Sequence, residues 1–112
     1  MSREVRLFLE DILTACQKVL RYTQGMSQED WINDELTYDA TLRNLEIIGE
    51  AAGHIPDDVR ARYPAVEWRK IKAFRNIVAH EYFGINNDIV WDIIQASLPE
   101  LLRQMTDVLK VE

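Results

Sequence analysis

Arg75, Asn76, His80, Glu81 and Tyr82 fall within one short stretch between Phe74 and Gly84. Histidine titrates near neutrality and can take or give a proton. Arginine stays charged and offers a planar fork to paired oxyanions. Together they suit proton transfer beside an anion. On an ideal helix Asn76 and His80 sit about 40° apart and can touch, whereas Arg75 and His80 are about 140° apart. Arg75 and His80 therefore converge only if the helix is distorted or a second subunit supplies one of them. The duller alternative is a satisfied core histidine beside a surface arginine, with Tyr82 packed in the core and its hydroxyl bonded.

Other candidate groups are few. Glu46 and Glu50 are spaced i,i+4 and face the same way. Such a pair can serve acid–base work or bind a divalent cation. Arg43, a turn earlier, offers Glu46 a surface ion pair instead, and a supporting role that positions Arg75 is the preferred reading. His54 follows Gly53 at a helix end, where a loop or C-capping role is expected. Cys16, the sole cysteine, lies on an apolar stripe and reads as a small buried hydrophobe. There is no glycine-rich phosphate loop, no His-Glu-x-x-His motif and no cysteine pair, so neither a nucleotide loop nor a thiolate metal site is expected. No serine sits in a strand-to-helix elbow.

These residues need a scaffold, and the apolar spacing describes one. Val5, Phe8, Leu9, Ile12, Cys16, Val19 and Leu20 predict a first helix from about Ser2 to Thr23, stopping before Gly25. Ser27 with Asp30 reads as an imperfect capping box for a short helix pinned by Trp31 and Ile32. A third helix is expected from Leu36 to Ala52. Tyr38, Leu42, Leu45, Gly49 and Ala52 form one stripe, and Ile47, Ile48 and Ala51 a second. Two faces call for two partners, either neighbouring helices or another subunit. Gly49 costs about 1 kcal/mol against alanine in mid-helix, and close approach by another backbone would compensate. Pro56 opens a short helix through Arg62. One further helix carries Trp68, Ile71, Phe74 and Ile77 or Val78, ending by Gly84. Asn86 or Asn87 caps the last segment, in which Ser97, Pro99 and Glu100 predict a fresh cap with a kink or two abutting helices. No segment alternates like a strand. The fold class expected is an all-α antiparallel bundle, with residues 1–112 as one domain.

The spacing Arg75-x4-His80-x-Tyr82 resembles that of the HEPN ribonuclease superfamily, and within it the HepT-like toxins. Arg43-Asn44-Leu45-Glu46-Ile47-Ile48-Gly49-Glu50-Ala51 is similar to that family's mid-chain helix. Pro64 to Trp68, and Val90-Trp91 to Leu98-Pro99, fall where the family has like signatures. One departure is Glu81, where relatives commonly carry glycine; an acid there can repel phosphate or tune His80. The resemblance implies a metal-independent endoribonuclease that works as a homodimer without a cofactor, its motif at the subunit interface. It implies proton transfer by His80, transition-state charge stabilised by Arg75, and support from Asn76. It implies RNA as substrate, transfer RNA being a natural candidate and messenger RNA equally compatible. It further implies a cognate minimal nucleotidyltransferase antitoxin that silences the chain by transferring AMP to Tyr82. A different class, a non-catalytic helical subunit that binds such a nucleotidyltransferase, is the alternative.

Charge bears on that choice. The net charge of −6 counts against a general nucleic-acid coat. The basic residues are uneven, however. Arg60, Arg62, Arg69, Lys70, Lys72 and Arg75 fall in one segment that holds a single acid, Glu67. That segment is either a local basic patch on an acidic chain or simply a solvated helix surface. The N-terminus runs straight into an amphipathic helix with no long apolar run, so no membrane segment and a cytoplasmic location are expected.

Overall fold

A computed structural model describes residues 1–79 and 84–111 of the chain. It is all-helical among the described residues. The elements are α1 (Arg3–Tyr22), α2 (Gln28–Asn33), α3 (Glu35–Gly53), α4 (Asp57–Arg62), α5 (Trp68–Lys72), α6 (Phe74–Ala79), α7 (Asn87–Asp92), a π turn (Ile93–Ser97) and α8 (Leu98–Val111).

The helix starts follow local capping chemistry. Ser2 accepts from the Val5 N–H at the head of α1. The Ser27 and Asp30 side chains each bond the other's backbone N–H, closing a full capping box on α2. Asp34 caps α3 through the Thr37 N–H, and Asn86 caps α7 through the N–H groups of Asp88 and Ile89. Each cap satisfies a donor that has no partner inside the helix. Gly25 has φ of +78°, a conformation in which a Cβ would be strained, and it reverses the chain between α1 and α2.

α1 and α3 run antiparallel. Phe8 near the start of α1 stacks on His54 just beyond the end of α3, with ring centroids 4.6 Å apart. The core between them holds Leu9, Ile12, Cys16 and Val19 of α1 and Leu45, Ile48 and Ala52 of α3, all essentially solvent-free. α8 completes the bundle with Leu98, Leu101, Met105 and Val108. Trp31 is fully buried; its Nε1–H donates to Thr41 Oγ1 at 3.1 Å, and Thr41 in turn donates to the Thr37 carbonyl. Ile32, expected to pin α2 beside it, stands 41% exposed, because in so short a helix only one side faces the core. The two-faced α3 does have two partners within the chain: α1 on one side and α5–α6 on the other.

Two departures from the sequence reading are informative. The single helix expected through Trp68, Ile71 and Phe74 is interrupted at Ala73, where the Ala73 carbonyl receives both the Asn76 and the Ile77 N–H. No glycine or proline marks this break; it coincides with the place where the main chain of residues 72–75 presses against α3. Near Pro99 no fresh cap forms. The backbone stays helical through a π turn in which the Leu98 N–H reaches the Ile93 carbonyl, the wider register absorbing the strain a proline imposes on the preceding turn.

Burial pushes the Cys16 thiol up to about 12 from its ordinary 9.0. Below pH 9 folded and unfolded chains both keep the proton. Above it the unfolded chain releases the proton and the folded one holds it, so stability falls as pH rises toward the folded value. Urea unfolding at pH 8 and pH 10.5 is expected to show this decline, up to about 1.4 kcal/mol per pH unit from this group. Cys16→Ala, less stable at both pH values, should show a correspondingly shallower decline.

Candidate active site

The site is organised around Gly49 on α3. A Cβ built at Gly49 would lie 2.7 Å from the Arg75 nitrogen, 2.8 Å from the Arg75 Cβ and 3.0 Å from the Lys72 carbonyl oxygen. Only a residue without a side chain admits this approach, as its mid-helix position suggested. At Gly53 the nearest atom is the Lys72 Cε, 3.7 Å from the same construction. Gly49 thus seats the main chain that carries Arg75, and the Lys72 stem passes Gly53 at ordinary contact distance. Phe74 anchors the segment from the other side, 1% exposed in the core.

With Phe74 turned inward, Arg75 and Asn76 point outward and are exposed. They open onto a cleft of about 680 Å³. One wall is Glu50, Gly53 and His54 at the end of α3; the other is Arg69, Lys72, Ala73, Arg75 and Asn76. Three cations therefore face one carboxylate on a chain of net charge −6. Charges separated by more than about 8–10 Å are largely screened at physiological salt, so the cleft presents its own positive field to a ligand that enters it. Among the described residues no carboxylate pairs with Arg69, Lys72 or Arg75. The rest of the basic segment is differently engaged: Lys70 pairs with Glu67 at 3.5 Å, and Arg60 pairs with Asp57.

The supporting acids separate. Glu50 lines the cleft with Arg75, whereas Glu46 pairs with Arg43 at 3.7 Å on the helix surface, as the duller reading had it. Among the described residues no cluster of three or more His, Cys, Asp or Glu could hold a metal ion. His80 and Tyr82, with Glu81 between them, lie outside the described residues. The chain on either side of them is firmly held. Arg75 is seated on Gly49, and beyond Gly84 the Tyr38 hydroxyl donates to Asn87 Oδ1 and Gln28 Nε2 donates to Asp88 Oδ1, each at 2.6 Å. His54 does sit at the C-cap of α3, its N–H on the Ala51 carbonyl and the Ile55 N–H on the Ala52 carbonyl, but it also lines the cleft. Nothing local in the sequence signalled that second position, because it depends on where α5 and α6 pack.

Comparison with known proteins gives this all-α bundle, with its exposed Arg-Asn pair over a basic cleft, a family. Residues 12–108 match the family model for HepT-like ribonucleases. The chain is 38% identical over 107 residues to a candidate RNase of Caldanaerobacter subterraneus subsp. tengcongensis, covering 96% of each chain. It is 35% identical over 109 residues to a candidate RNase of Methanocaldococcus jannaschii, covering 97% of this chain and 90% of the relative. It is also 35% identical over 101 residues to a protein of Thermococcus cleftensis provisionally assigned as ribonuclease HepT, covering 90% and 92%. No solved structure matches. The chain belongs to the HepT-like ribonuclease family. No helix among the described residues is long and apolar enough to cross a membrane.

Gly49→Ala tests the seat of Arg75. Overpacking against main chain costs about 1–3 kcal/mol, and alanine's better helix propensity returns up to about 1 kcal/mol. A net destabilisation of about 1–2 kcal/mol is expected in urea unfolding. A stabilised variant would show that α3 and α6 stand further apart in solution.

Proposed function

We propose that the chain is a metal-independent endoribonuclease toxin of a two-gene toxin–antitoxin module, acting as a homodimer on cellular RNA in the cytoplasm. The observation that carries this reading is the exposed Arg75 held by its main chain on Gly49, at the edge of a cleft where cations outnumber acids. Cleavage of RNA through its own 2′-hydroxyl requires a base for that proton, a proton donor for the leaving oxygen and positive charge at the phosphate. His80 supplies proton transfer, since imidazole exchanges protons near neutral pH. Arg75 supplies charge, its guanidinium forking onto the phosphate oxygens as negative charge builds in the transition state. Asn76, beside Arg75 on the same exposed turn, orients the phosphate or His80. Glu50 supports Arg75 from the facing helix, with Glu46 one turn away on that helix. These groups supply each requirement of the chemistry without a cofactor. Transfer RNA and messenger RNA are both compatible substrates.

Tyr82 is the proposed acceptor of AMP from a cognate minimal nucleotidyltransferase antitoxin. In that transfer the phenolic oxygen attacks the α-phosphorus of ATP, pyrophosphate leaves and the phenolic proton passes to solvent or a base. The new phosphodiester places negative charge and bulk a few residues from Arg75, which opposes RNA by repulsion and occupancy.

The test is RNA cleavage in EDTA by unmodified protein, with His80→Ala and Arg75→Ala compared at equal helicity and equal oligomeric state. Wild type is expected to cut RNA, and each variant to lose at least about 100-fold, the usual scale for removing a general acid–base group. If wild type whose mass shows no AMP cuts no cellular RNA, the catalytic reading falls. The chain is then a helical binding subunit for the nucleotidyltransferase, a role to which its acidic net charge is better suited.

A further inference from the structure

The cleft extends past Arg75 to groups that the proposed chemistry does not use. At its far end His54 lies flat against Phe8, with an interplanar angle of 9° and centroids 4.6 Å apart. Phe8 is half-buried in the α1–α3 seam, so it backs the imidazole with a fixed apolar surface, and His54 itself is exposed. The His54 main chain is tied down by the α3 C-cap bonds. Among the described residues its ring nitrogens have no hydrogen-bond partner. An exposed aromatic ring backed by a second, parallel ring is a platform for one more flat ring. Beside it, the Lys72 stem runs along Gly53, the residue preceding His54, and Arg69 stands one turn earlier in α5. Neither cation has an acidic partner among the described residues.

We propose that this end of the cleft is a nucleotide subsite for single-stranded RNA. An unpaired base stacks on the His54–Phe8 pair, and Lys72 with Arg69 holds the phosphate next along the strand from the one at Arg75. The chemistry follows from the parts. Stacking on a side-chain ring selects an unstacked base and tolerates any base identity. Lysine and arginine beside it neutralise backbone charge. A base in a continuous duplex has both faces covered and cannot use the platform, so the subsite favours loops and single strands. Its two components are separable, because one is an apolar contact and the other an ionic one.

This subsite rests on RNA being the substrate, so the test reads binding apart from cleavage. The probe is a fluorescently labelled 12-nucleotide single-stranded RNA carrying 2′-O-methyl groups throughout, which has no free 2′-hydroxyl and cannot be cut by that route. Its anisotropy is followed over a salt series with full-length wild type, His54→Ala, His54→Phe and Lys72→Ala, each checked for helicity. His54→Ala is expected to weaken binding about tenfold, within the usual range for loss of one stacked base, with the salt dependence unchanged. His54→Phe should restore most of that affinity, which a role in charge or proton transfer would not allow. Lys72→Ala should weaken binding and lower the slope of log K against log salt by about one unit. Unchanged binding in both His54→Ala and Lys72→Ala, or no binding of the probe by wild type, overturns the subsite even if ordinary RNA is cut. Losses in both variants without any cleavage of ordinary RNA uphold the subsite and remove the ribonuclease reading instead.

Discussion

The contact between α3 and the main chain at residues 72–75 is the constraint on which the rest of the structure depends. Two backbones rarely come so close, because each Cβ normally holds them apart. Here Gly49 removes one Cβ, and the Arg75 nitrogen and Cβ occupy its place. Everything that the cleft needs follows from that approach. Phe74 is driven into the core, Arg75 and Asn76 are driven out, and Lys72 is laid along Gly53. The helical cost of glycine in mid-helix is the counterpart of a fixed main chain at Arg75.

The bundle around this contact is held mainly by burial. Apolar, non-aromatic side chains from α1, α3 and α8 form one solvent-free core, and Trp31 ties α2 into it through a bonded indole. The polar groups that enter are accounted for: Thr41 both accepts from Trp31 and donates to its own helix, and Asn44 donates to the Ala40 carbonyl. Among the described residues no buried side-chain nitrogen or oxygen lacks a partner. Exposed ion pairs such as Arg6–Glu10 add little, since water and salt screen them. A frame of this kind fits the role proposed for Arg75, because a preorganised group does not have to reorganise during reaction.

The local grammar of the helices was legible. Ser2, Ser27 and Asn86 cap helices where side-chain chemistry predicts caps, and the α1 stripe buries as its spacing requires. Gly49 was legible as a point of close approach, though its partner was not. The candidate site was legible only in part. The Arg75–Asn76 pair and the basic segment stood out by type and spacing, but which cations face the cleft did not. Lys70 and Lys72 are two apart on the same short helix; one pairs with Glu67 and the other opens onto the cleft. The burial of Ile32 and the continuity of the helix after Trp68 were misread for the same reason, since burial on a short helix and a break without glycine or proline are decided by neighbours.

The sequence by itself determined the all-helical class, the caps, the buried stripe and the family, because those depend on side-chain type at fixed local spacing. The tertiary structure alone decided that α3 has both partners within the chain, that the helix after Trp68 breaks at Ala73, and that His54 shares a cleft with Arg75. Those outcomes join residues far apart in the chain. They turn on how closely two backbones can pack, which no local pattern encodes beyond the absence of a side chain at Gly49.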